Sequence, residues 1–193
     1  MQIKSEFEVA QTPDKVWEFF NDIPAVASCL PGADISEKID DDKYAGTVVI
    51  GMGPVKLNFT GRANIRERDE ANKRIVVDAS GSEVKGRGEA ALLLNAAVTP
   101  SGAGTRVEID QSLQLSGAAA QYGRGMVQDV TAILIDQFSV NMTAKLAALE
   151  QGVGYVAGEA RPAGGFAIVL RALWMVLGRV ARRFFLPYRS ATE

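Results

Sequence analysis

The chain has 193 residues, of which 47% are hydrophobic and 23% charged, with one cysteine and no histidine. This composition is typical of a globular protein, and a body of about 150 residues can bury about two-thirds of its unfolded surface. A single cysteine excludes an internal disulfide, and the lack of histidine excludes His/Cys metal sites and nucleophiles activated by histidine. The N-terminal segment lacks the basic and apolar pattern of a signal peptide, which predicts a cytoplasmic protein.

The first two-thirds of the chain reads mainly as strands. Residues 2–10 alternate between apolar and polar, which predicts a half-buried strand. Pro13 suits the first position of a helix, and two short apolar helices are predicted before Pro31 and Gly32. Further alternating segments lie between turn-forming clusters, and they predict strands near 34–39, 43–52, 55–65, 73–80, 86–98 and 105–115. Such alternation is typical of an antiparallel sheet with one face in water.

From about Ala119 to Gln151 the period changes to that of a helix. Seven apolar residues recur every three or four positions along one face: Val127, Val130, Leu134, Phe138, Met142, Leu146 and Leu149. A curved antiparallel sheet of about seven strands wrapped on this helix is the simplest packing, because both have one apolar face to bury. We therefore predict an α+β fold with two short helices after strand 1.

The composition changes after Gln151. Residues 152–165 hold five glycines and one proline without any periodic pattern, which predicts a flexible linker. Six arginines and no Asp, Glu or Lys lie between Arg161 and Thr192, whereas the chain up to Ala160 has 15 basic and 22 acidic residues. The sequence thus predicts a domain over 1–151, a linker over 152–165 and a basic tail over 166–193.

The tail is too interrupted for a membrane span, which needs about 20 consecutive apolar residues. Arg171 divides its apolar part and Arg179 ends it. Projection at about 100° per residue separates most arginines from the bulky apolar residues, which predicts an amphipathic helix on an anionic membrane surface. The residues assigned to this contact are Phe166, Leu170, Arg171, Leu173, Trp174, Leu177, Arg179, Arg182, Arg183 and Phe184. The alternative is that the tail packs on its own domain or on a partner protein.

Three stretches carry a family resemblance. They are residues 13–22 running into Cys29-Leu30-Pro31-Gly32-Ala33, residues 51–56 with Phe59-Thr60-Gly61, and Leu115-Ser116-Gly117 followed by residues 120–124. Over residues 1–150 the chain resembles the G-subunit family of carbon monoxide dehydrogenase, within the START/Bet v 1-like SRPBCC superfamily. The resemblance implies a helix-grip fold, in which the sheet and the long helix enclose an apolar cavity. The family's apolar extension after a Gly/Pro-rich linker is present as well.

The resemblance also implies a function. It points to a non-enzymatic accessory protein that binds a hydrophobic ligand, such as the respiratory quinones menaquinone or ubiquinone, without a covalent cofactor. It would recruit a molybdenum hydroxylase of the carbon monoxide dehydrogenase type to the inner face of the cell membrane, for electron transfer to quinone. Nucleic acid is not an expected partner, because the domain has no basic stripe with interleaved aromatic residues.

Two alternatives remain open from the sequence. The first is an enzyme of the polyketide-cyclase or hydratase type, in which carboxylates, Tyr44 or Tyr122 would act in the cavity. The second is an assembly factor for the dehydrogenase that binds no ligand. No catalytic or metal-binding residues are predicted.

Seven residues are candidates for the cavity: Ser5, Trp17, Phe20, Leu30, Phe59, Gln111 and Phe138. Ser5 and Gln111 interrupt apolar rows that are expected to face inward, and a polar group in an apolar interior needs a partner. Each can hydrogen-bond a quinone carbonyl or a water molecule, although a strand position that faces solvent explains them equally well. The five apolar candidates are equally explained as ordinary core.

Overall fold

The structure is a computed structural model that describes residues 1–52 and 55–151. The chain forms one strand, two short helices, six strands and one long helix, which confirms the predicted order. The strands are β1 (Gln2–Val9), β2 (Ala33–Lys38), β3 (Lys43–Met52), β4 (Val55–Asp69), β5 (Arg74–Glu83), β6 (Glu89–Ser101) and β7 (Gly104–Leu115). The helices are α1 (Pro13–Asn21), α2 (Ile23–Cys29) and α3 (Gly123–Glu150), and a 3₁₀ helix (Gly117–Tyr122) precedes α3.

The seven strands form one antiparallel sheet in the order β1-β7-β6-β5-β4-β3-β2. One face of the sheet packs against the helices, because alternate residues along each strand are apolar. On β4 this inward row includes Phe59 and Ile65, and on β7 it includes Val107 and Ile109, all of which are buried. The predicted inward rows are therefore confirmed on these two strands.

The long helix differs from its prediction at both ends. It begins at Gly123 rather than near Ala119, because residues 117–122 form the tighter 3₁₀ helix. Leu149 was predicted on the buried face, but it lies in the last turn of α3 and is 58% exposed. The buried stripe therefore ends at Leu146.

A packed core fills the space between α1, α2, the second half of α3 and the sheet. Its buried helix residues are Val16, Trp17, Phe19, Phe20, Ala25, Cys29, Phe138, Met142 and Leu146. The ring of Phe138 contacts Phe7 edge-on and Phe20 at a tilt, with centroids 6.0 Å and 6.4 Å away. The indole N–H of Trp17 donates to the carboxylate of Glu70 at 2.7 Å, which satisfies the one polar group of this side chain.

The predicted linker (152–165) and tail (166–193), including every residue assigned to membrane contact, lie outside the described residues. Within the described part of the chain, no helix has the length and apolar character needed to cross a membrane.

Candidate functional site

A cavity of about 420 Å³ lies between the inner face of the sheet and the first half of α3. Strands β2 to β7, the end of α2 and α3 all contribute to its wall. The wall is largely apolar, and its larger side chains include Leu57, Phe59, Leu92, Leu113, Val130 and Leu134. The volume falls within the roughly 300–1,000 Å³ that is usual for small-molecule sites.

Small residues on the sheet create this space. Gly46, Gly61, Gly81 and Ala90 are successive register partners on β3, β4, β5 and β6, so they form one row across four strands. A second row beside it contains Ala63 and Ala79. Because these positions have either no side chain or a single methyl group, the sheet fills little of the space under α3.

The glycines also permit close contact between backbones. A Cβ atom at Gly61 would overlap the carbonyl oxygen of Ser80, and one at Gly46 would overlap that of Asp34. Neither position can therefore accept a side chain without movement of the neighbouring strand. The low side-chain volume at these two positions is imposed by the backbone itself.

One polar side chain interrupts the apolar wall. Gln111 on β7 is only 7% exposed, and its amide nitrogen Nε2 has no hydrogen-bond partner among the described residues. Its register neighbours are Ile3 on β1 and Leu94 on β6, neither of which has a side-chain acceptor. An unpaired buried amide costs about 1–3 kcal/mol. This side chain is therefore the polar feature of the site that most needs a partner.

The structure separates the seven predicted cavity residues into three groups. Leu30, Phe59 and Gln111 line the cavity. The other three aromatic candidates, Trp17, Phe20 and Phe138, lie in the packed core instead. Ser5 is half-buried on β1 opposite Ile109, and no residue of β1 reaches the cavity wall. Contact of any of these residues with a ligand remains a prediction.

The rows of small residues were not identified from the sequence as part of the site. A signal was present, because a glycine inside an alternating strand often marks a close backbone approach. The sequence shows such glycines at positions 46, 61 and 81. Only the strand register, however, shows that they lie side by side.

The buried carboxylate of this end of the sheet is Glu83, which is 3% exposed and lies outside the cavity wall. Its two oxygens accept from the Arg87 guanidinium, at 2.8 Å from Nη2 and 3.2 Å from Nε, and one also accepts from the backbone N–H of Lys85. These hydrogen bonds, with Arg87 first, lower the pKa of Glu83 to about 2. Glu83 is thus a structural anion.

The tyrosines proposed for the enzymatic alternative lie at different places. Tyr44 lines the cavity, and its hydroxyl donates to the carbonyl of Asp41 at 3.2 Å. Tyr122 packs beside the apolar cluster around Phe59 and Val127. The carboxyl groups whose pKa departs clearly from its usual value are Glu8, Asp40, Asp69, Glu83 and Glu150, and each is lowered by hydrogen bonds. None of these five groups has the raised pKa expected of a general acid.

Potential metal ligands are dispersed in the described part of the chain. Over residues 1–52 and 55–151, no three His, Cys, Asp or Glu side chains are grouped so that they could hold a metal ion.

Solved structures share this fold. A conserved protein from Geobacillus kaustophilus is 22% identical, covers 76% of this chain and 95% of its own length, and superposes with a TM-score of 0.69. The ZhuI aromatase/cyclase from Streptomyces is 14% identical, with coverage of 81% and 99% and a TM-score of 0.55. A START superfamily protein from Mycobacterium smegmatis is 13% identical, with coverage of 77% and 98% and a TM-score of 0.53. These likenesses establish a START/Bet v 1-like helix-grip fold.

No curated protein matches the sequence significantly. The profile of one protein family, the G subunit of carbon monoxide dehydrogenase (CoxG), matches residues 5–147. This match covers most of the chain and nearly all of the described fold, including every wall of the cavity. The chain therefore belongs to the CoxG family of carbon monoxide dehydrogenase, whose members are accessory subunits, and it has the START-like fold associated with hydrophobic ligands.

Proposed function

We propose that this protein is a non-enzymatic accessory protein that carries an apolar ligand for a molybdenum-containing dehydrogenase of the carbon monoxide dehydrogenase type. The observation that carries this proposal is the 420 Å³ apolar cavity beneath α3. In this function the ligand is a respiratory quinone, menaquinone or ubiquinone, which accepts electrons from the enzyme. Membership of the family supports the choice of partner.

The proposal includes a membrane role for residues 166–193. Six arginines between Arg161 and Thr192 would each contribute about 1 kcal/mol at an anionic leaflet. The apolar residues interleaved with them would add insertion energy at the interface. The 14-residue linker would give the domain a reach of about 20 Å. The protein would thus hold the dehydrogenase on the inner face of the cell membrane, where quinone is dissolved.

The ligand part is tested on the full-length protein purified without detergent. Organic extraction followed by mass spectrometry is expected to recover an isoprenoid quinone in near-stoichiometric amount. A protein prepared without ligand should take up added ubiquinone or menaquinone. If the extract contains no quinone or other lipid, and added quinone is not taken up, then the carrier function is wrong.

The membrane part is tested by flotation with vesicles that contain phosphatidylglycerol. The full chain is expected to float, whereas a chain that ends at Gln151 should remain in the dense fraction. A variant with R171Q, R179Q, R182Q and R183Q keeps the apolar residues and loses four charges, so it should float less at low salt. Vesicles of phosphatidylcholine alone provide the control without anionic lipid. Equal flotation of the full and shortened chains would show that the tail is not the membrane contact.

A further inference from the structure

The cavity is polar at one end only. Its wall extends across six neighbouring strands, from β7 to β2, and Gln111 lies on β7. At a strand spacing of about 4.8 Å, five steps along the curved sheet correspond to about 24 Å. Between these ends the inward side chains on β5 and β6 are apolar or very small, as at Ala79, Ala90, Leu92 and Leu94. The site is therefore shaped for an elongated apolar molecule with one polar end.

The protein itself does not satisfy the amide of Gln111. Along β7 its inward neighbours are Ile109 and Leu113, which offer no polar side-chain group. The hydroxyl of Thr131, which reaches the cavity from α3, donates to the carbonyl of Val127 at 2.8 Å. Tyr44, the other hydroxyl on the wall, lies on β3 and donates to the carbonyl of Asp41. A buried amide in such surroundings indicates a partner that arrives with the ligand.

The chemistry of an amide decides what that partner can be. A glutamine side chain offers both an N–H donor and a C=O acceptor, and a half-turn about its terminal bond exchanges them. The donor fits a carbonyl oxygen, and the acceptor fits a hydroxyl group. A single glutamine can therefore bind the same oxygen of a ligand before and after that oxygen gains a hydrogen. A fixed cation or a carboxylate at this position would favour one of the two forms.

We propose that Gln111 is the specificity-determining residue of the cavity and that it binds the oxygen-bearing end of an apolar ligand in both its carbonyl and its hydroxyl form. The inference rests on the proposed function, because it assumes that the cavity binds an apolar molecule. It adds the orientation of the ligand, whose oxygen-bearing end lies at β7 while its apolar body extends toward β2. It also adds that one site serves both redox forms of the ligand.

The test uses three probes of nearly equal shape: menadione, its reduced form menadiol, and the hydrocarbon 2-methylnaphthalene. Their dissociation constants are measured anaerobically by titration calorimetry with the full-length protein, Q111M and Q114M. Methionine keeps the length of glutamine and removes its hydrogen bonds. Gln114 lies three residues further along β7 and is exposed, so Q114M is the matched control. The readout is the Kd of each oxygenated probe divided by that of the hydrocarbon, which cancels differences in probe hydration.

Q111M is expected to raise both Kd ratios by about fivefold to tenfold, the loss of one hydrogen bond, while Q114M leaves them unchanged. Unchanged ratios in Q111M would overturn the inference, although binding of the probes would leave the carrier function intact. A change for menadione alone would overturn the claim that both redox forms are bound. If no probe binds the unaltered protein, then the carrier function and the inference both fail.

Thermal unfolding separates ligand recognition from a structural role. Replacing an unpaired buried amide with an apolar group should raise the melting temperature of the ligand-free protein by about 2–4 °C. Q111L is the second variant, and the same increase is expected of it. A clear fall in melting temperature in both variants would indicate that Gln111 stabilises the fold itself and would overturn its assignment to the ligand.

Discussion

The two ends of the space beneath α3 face the same sheet but differ in the size of the side chains that fill them. At the end near α1, the packed core contains Trp17, Phe20 and Phe138, and Met142 has no exposed surface. At the other end the sheet presents Gly46, Gly61 and other small residues, and a cavity remains. A single helix covers both ends, so the helix alone does not determine where the protein is hollow.

The contrast teaches how this fold separates stability from binding. Large side chains from α1 and from the second half of α3 interlock at one end, where dense packing stabilises the native state. At the other end the missing volume on the strands leaves room for a ligand. The two functions can thus be altered independently, which the following substitutions would test.

The largest expected effect is on stability at the packed end. Met142→Ala should lower the free energy of unfolding by about 2–5 kcal/mol, because Met142 is fully buried and its neighbours cannot close the gap. Leu92→Ala, on the wall of the existing cavity, should cost clearly less, about 1–2 kcal/mol. Urea denaturation of both variants measures the difference. Equal losses would mean that the hollow end is as tightly packed as the core.

Filling the cavity should affect binding more than stability. Ala79→Phe introduces a ring at a wall position, so binding of menadione should weaken more than tenfold while the free energy of unfolding changes by about 1 kcal/mol or less. The matched control is Ala91→Phe, because Ala91 is exposed and belongs to the outward-facing residues of β6. Calorimetry and urea denaturation provide the two measurements. Undiminished binding by Ala79→Phe would place the ligand elsewhere.

A smaller effect is expected from the ion pair beside the hollow end. Glu83 is the register partner of Phe59, and its pKa is lowered from 4.5 to about 2, mainly by Arg87. A lowered carboxyl pKa stabilises the fold above the unfolded value, so this stabilisation is complete above about pH 4.5 and is lost as the pH falls toward 2. Glu83→Gln should therefore melt at a lower temperature at pH 7 and lose less stability on acidification.

Melting temperatures between pH 7 and pH 2 test this prediction. Glu108→Gln, an exposed substitution on β7, provides the control. If Glu83→Gln and the unaltered protein showed parallel pH profiles, the pairing of Glu83 with Arg87 would contribute nothing to stability in acid.

Much of the fold could be predicted because alternation and helical periodicity are local properties of the sequence. The location of the cavity could not, because it depends on which residues lie side by side on different strands. Register shifts between Ile65 and Glu67, and between Ile35 and Glu37, alter that alignment, and the apolar pattern does not reveal them. Trp17 and Phe138 show the same difficulty, since an aromatic residue suits a packed core as well as a ligand wall.

The two polar candidates show how far such reasoning reaches. Ser5 and Gln111 interrupt inward rows in the same way, yet only Gln111 lies against the cavity, because β1 is beyond its last wall strand. The tail was predicted from charge and composition alone, and its membrane role remains a prediction.

The rows of small residues contain two kinds of position. At Gly46 and Gly61 a side chain would collide with a neighbouring backbone, so mutation there is blocked by the adjacent strand. Ala63, Ala79 and Ala90 already have a Cβ atom and line the open space. Single exchanges at these alanines can therefore lengthen or shorten the ligand that fits, without disturbing the helix above. Related proteins with this sheet could diverge in ligand size by changing very few residues, and the same alanines are the natural starting points for designing a carrier of altered selectivity.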